Sequence, residues 1–176
     1  MAEHIILINR APVLTLWATT VAERLAFDHD EALSLGKEVA GLTAQSKGRR
    51  LGKYKPVPAE VKKMRTRKRG EEFWIEICGR PVPAIDTADG VRAVAKDKPI
   101  DATSVERYLE TEFGESLETP RAAMRHLAKA FRPEQLSEKA FSLYERFRPA
   151  IPEGIRGWGA KGKLDIHRIR SLALEK

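Results

Sequence analysis

Eleven cationic side chains crowd the stretch from Lys47 to Arg69 against one carboxylate, Glu60: Lys47, Arg49, Arg50, Lys53, Lys55, Lys62, Lys63, Arg65, Arg67, Lys68 and Arg69. A nucleic-acid duplex presents a dense line of phosphates, and each phosphate neutralised by Lys or Arg releases condensed counterions. About six to ten such contacts dominate affinity. The chemistry implied is polyanion binding, although a solvated tail or an address signal has the same composition.

A second group is Arg121, Arg125, Lys129 and Arg132, whose steps of four, four and three place them along one face of a helix opened by Pro120. Like charges at that spacing repel, and a phosphate backbone alongside would relieve them. Ala122, Met124, Leu127, Ala128 and Phe131 supply the buried side. The alternative is a solvent face relieved by Glu110, Glu112, Glu115 and Glu118.

The third group lies in Gly154 to Lys163, where glycines let the backbone come close, Arg156, Lys161 and Lys163 bring charge, and Trp158 offers a stacking surface. Gly157, Gly162 and Lys163 fit part of the phosphate-binding pattern G-x-x-x-x-G-K, but Leu164 stands where Ser or Thr must hold a metal ion. The residues after Gly162 are too few for a βαβ unit, so neither a P-loop nor a dinucleotide fold is expected.

Catalytic chemistry finds little footing. His4, His29, His126 and His167 show no H-x-H or H-E-x-x-H spacing, and Cys78 has no second cysteine for a disulfide or a metal cluster. Acid pairs such as Asp86 with Asp89 read as caps and solvated faces. The expectation is a non-enzyme without cofactor or metal. Residues 21 to 28 superficially suit a helix-turn-helix, but Asp28, Asp30 and Glu31 would put negative charge where a recognition helix meets phosphates.

The elements that must position these groups are mainly helical. With 42% hydrophobic and 32% charged residues in 176, the composition is that of a globular chain with a heavily charged exterior. The net charge of +7 is unevenly spread. Residues 45–70 and 121–176 are basic, and residues 1–44 and 71–120 are acidic. Pro12 opens a helix over about 11–26, and Asp28 or Asp30 caps a second that fades near Gln45. Phe73 to Cys78 and Val82 to Ile85, joined at Gly79-Arg80-Pro81, read as one hairpin. A short helix near Ala88 to Ala95 follows. Further helices run from Asp101 to Phe113 with Gly114 as stop, from Thr119-Pro120 to Phe131, from Arg132-Pro133 to about Phe147, and from Asp165 through Leu174.

The predicted fold class is therefore mainly α: helical, bundle-like, with one small β-hairpin around residues 72–85 and a basic connecting arm. The expected organisation is an N-terminal helical pair at 1–44, a basic arm at 45–70, and a hairpin plus C-terminal helical domain at 71–176. The longest early apolar run, Ile5 to Ile8, is too short for a signal or a membrane span, so a cytoplasmic protein with no membrane contact is expected, nucleoid-associated if it binds DNA. The expected partner is nucleic acid, DNA ahead of RNA, gripped through its backbone, with a homodimer as a further option. The alternatives are a self-assembling module whose basic blocks dock acidic ones, and an RNA factor stacking bases on Trp158 and Tyr54.

Overall fold

The computed structural model describes residues 5–45, 73–95, 98–149 and 161–175. The basic run from Lys47 to Arg69 and the glycine-rich stretch around Arg156 and Trp158 lie outside the described residues.

The organising element is α1 (Arg10–Arg24), which is buried on every side from Pro12 to Ala22. A helix without a polar face must be surrounded, and α1 packs on α2 (His29–Gln45), α3 (Ala102–Phe113), α4 (Glu118–Lys129) and α5 (Pro133–Phe147). Trp17 in its middle donates from Nε1 to the Ala140 carbonyl at 2.8 Å and meets Phe147 edge-on at 5.3 Å. Its Thr15, Thr19 and Thr20 hydroxyls are satisfied by carbonyls one turn back, so the threonines are buried without an orphaned group.

α1 and α2 approach very closely. A Cβ on Gly36 would lie 2.7 Å from the Thr15 carbonyl oxygen and 2.8 Å from the Thr19 nitrogen, so only glycine fits. Asp28 caps α2 in a reciprocal box: its carboxylate accepts from the Glu31 nitrogen at 2.8 Å, while Glu31 accepts from the Asp28 nitrogen at 3.0 Å.

The second layer is a four-stranded antiparallel sheet in the order β2 (Phe73–Ile77), β3 (Arg80–Thr87), β4 (Gly90–Ala95) and β5 (Lys98–Pro99). This corrects the expected single hairpin. Cys78 and Gly79, both at positive φ, form the two-residue turn between β2 and β3. The expected helix at Ala88–Ala95 is also corrected, because Gly90–Ala95 is strand. β3 pairs with one edge of β4, and the other is shared by β5, at Val94 and Ala95, and by α2 side chains: Glu31 accepts from the Val91 nitrogen at 2.9 Å and Ser34 from the Ala93 nitrogen at 3.0 Å. Tertiary partners thus override the helical propensity of an alanine-rich segment.

A second, two-stranded sheet pairs β1 (Ile5–Asn9) with β6 (Lys161–Asp165), tying the two ends of the described chain together. Neither strand was expected. After β6, Asp165 accepts from the His167 nitrogen at 3.0 Å and starts α6 (Ile166–Glu175). Asp101 and Gly114 bound α3 as expected. The buried residues form one cluster from Ile8 to Ala173, so the first two helices share their core with the C-terminal ones. No helix among the described residues is long and apolar enough to cross a membrane. Among the described residues the architecture is mainly helical, with six helices and two small antiparallel sheets, a mix of helix and sheet where a helical bundle with one hairpin was expected.

Candidate polyanion-binding site

α4 separates the four cations expected on one face. Arg121 turns inward: it is 8% exposed, its Nη2 donates to Glu106 of α3 at 3.0 Å, and Nη1 lies 3.4 Å from Glu118. That side chain anchors α4 to α3 and is spent inside the molecule. Arg125 and Lys129 face outward from the next two turns. Arg132 is exposed at the start of α5, where its backbone nitrogen donates to Gln135 at 3.2 Å.

The two outward cations meet a residue that the sequence did not single out. Thr20, Glu23 and Arg24 from the end of α1 and Arg125, Ala128 and Lys129 from the end of α4 line a cavity of about 490 Å³. Arg24 donates from Nη2 to the Phe131 carbonyl at 2.8 Å, and its Nε is buried with no partner. Arg125 Nε stands 3.6 Å from Glu23. Glu23 is shared with His29, whose Nδ1 lies 2.7 Å from its other oxygen and whose Nε2 lies 3.4 Å from Glu106. The chain Arg125–Glu23–His29–Glu106–Arg121 therefore links the cavity to the anchor of α4. Sequence gave Arg24 no prominence, because a Glu-Arg pair ending an apolar helix reads as an ordinary solvated terminus.

A second concentration of positive charge sits at the other end of α1. Arg10 donates from Nε to the Pro149 carbonyl at 2.9 Å, and burial together with the charge of Arg148 holds its guanidinium below its ordinary pKa. On the nearby two-stranded sheet, Lys163 is exposed and pairs across with Leu7, itself 66% exposed. Lys161 is in β6 opposite Asn9. The start of α2 is committed to the body of the protein through Asp28, His29 and Glu31, and is not a free helix end.

No family model matches the chain, and no curated protein and no solved structure is significantly similar to it. Its functional reading rests on its own residues.

Groups suited to other chemistry are placed differently. Cys78 is fully buried, and burial pushes its thiol far above the range in which a nucleophilic thiolate forms. Among the described residues no cluster of His, Cys, Asp or Glu has the arrangement of a metal site. Glu38 of α2 is buried, and burial raises its carboxyl to about 7.

Proposed function

We propose that this chain binds nucleic acid, DNA ahead of RNA, by gripping the phosphate backbone instead of reading base edges. The observation that carries the reading is the +10 charge of residues 45–70, more than the −7 of residues 71–120 or the −3 of residues 1–44 could neutralise alone. The described residues add support. Arg24, Arg125 and Lys129 share one cavity. The charged ends of α1, Arg10 and Arg24, are about 21 Å apart along the helix. One strand of a duplex advances by about six phosphates over that length. Lys163 and Arg132 add exposed charge to the two ends.

The test is a titration of the full chain against random-sequence duplex, single-stranded DNA and RNA at several salt concentrations. Affinity for duplex should fall steeply, with a log–log slope of about −4 or steeper. Replacing Lys62, Lys63, Arg65 and Arg67 together by Ala should flatten it by about 3 to 4. A slope near zero overturns the reading.

A second reading, self-assembly through complementary charge, is favoured by the exposed carboxylates of Glu110, Glu112, Glu115 and Glu118. A dimer that dissociates with salt and ignores duplex would select it.

A further inference from the structure

We propose that the cavity between the C-terminal ends of α1 and α4 is a binding site for a phosphate monoester, held by Arg24, Arg125 and Lys129. The lining carries three cations and one carboxylate, Glu23. A phosphate monoester near neutral pH carries about −1.5 to −2, opposite in sign to that excess of two. The ends of two helices subtract from it, since each contributes about half a negative charge through its free carbonyls. About one positive charge remains, so helix-end neutralisation accounts for only part of the cluster.

The donors are also more numerous than their partners. Arg24 spends one Nη on the Phe131 carbonyl and leaves a buried Nε unpaired. Arg125 meets Glu23 only at 3.6 Å and is 44% exposed. Lys129 has no hydrogen bond or ion pair with any described residue. The remaining Nη of Arg24, the Arg125 guanidinium and the Lys129 ammonium are donors that suit phosphate oxygens. At about 490 Å³ the cavity falls within the range of small-ligand pockets, leaving room for the group that carries the phosphate. This site stands independently of the basic arm, whose own test is the salt slope on duplex.

Calorimetric titration of the full chain with a nucleoside 5′-monophosphate, a sugar phosphate, inorganic phosphate and the unphosphorylated nucleoside tests the proposal. The monoesters should bind and the bare nucleoside should not. Equal binding of inorganic phosphate would show that the phosphate alone is recognised, whereas tighter nucleotide binding would show that its body also occupies the cavity. Lys129→Ala and Arg125→Ala should each weaken binding about tenfold. Lys98→Ala, at an exposed lysine on β5 that does not line the cavity, should leave it unchanged. Glu23→Gln should tighten it about threefold, an effect opposite in sign to any loss of structure. The melting temperature of Lys129→Ala should match the parent, which separates lost binding from lost folding. Absent monoester binding, equal binding of the bare nucleoside, indifference to Lys129→Ala and Arg125→Ala, or an equal loss in Lys98→Ala would each overturn the assignment.

Discussion

α1 meets its neighbours in two contrasting ways. Around Thr15 and Thr19 it lies so close to α2 that no atom fits beyond the hydrogen of Gly36. At Thr20, Glu23 and Arg24 the same helix faces α4 across an open cavity. Residue size and charge explain the difference. Small side chains with self-satisfied hydroxyls let backbones touch without burying an unpaired polar group. Long charged side chains keep their heads toward water and do not let backbones touch, so α1 and α4 do not close on each other there. The closed part fixes the fold, and the open part is left to respond to charge.

The largest expected effect comes from forcing the closed part open. Gly36→Ala should destabilise the protein by about 3 kcal/mol or more in urea unfolding, because its Cβ meets backbone atoms that cannot swing aside. A loss below about 1 kcal/mol would mean that the helices separate easily, and the contrast would dissolve.

Arg121→Ala should cost about 2 kcal/mol, since it removes the clamp between α4 and α3 and leaves Glu106 partly buried beside Glu118. It should also weaken monophosphate binding, because α4 carries Arg125 and Lys129. Lost stability with unchanged binding would show that the cavity does not depend on that anchor.

The smallest effect sharpens the comparison through pH. Unlike Glu23 and Glu106, which share cations, Glu38 is buried and its carboxyl is raised to about 7 by burial. Between the ordinary glutamate value and about 7 the folded chain keeps a proton that the unfolded chain has lost, so stability falls as pH rises through that window. Glu38→Gln should therefore melt a few degrees higher than the parent at pH 8, and the two should converge below about pH 5. Parallel melting curves from pH 5 to 8 would show that water reaches Glu38.

The local signals in the sequence translated well into helix limits. Asp28, Asp101 and Asp165 each accept from backbone N–H groups at a helix start, Gly114 takes the positive φ that ends α3, and Pro133 opens α5. Such signals act within one turn and need no distant partner. The candidate site was less legible. Arg125 and Lys129 were visible as charge, but helix spacing alone could not show that Arg121 would turn inward to Glu106. Arg24 became notable only when α1 and α4 came together.

The amino-acid order by itself determined the mainly helical character, the places where helices begin and stop, and the excess of cations in two stretches, because propensity, capping and charge count are local or additive. Tertiary structure alone decided that Gly90–Ala95 is a strand, that β1 pairs with β6 across most of the chain, and that three cations from two helices line one cavity. Those outcomes depend on contacts between residues far apart in sequence, whose closure entropy and side-chain partners no local pattern encodes.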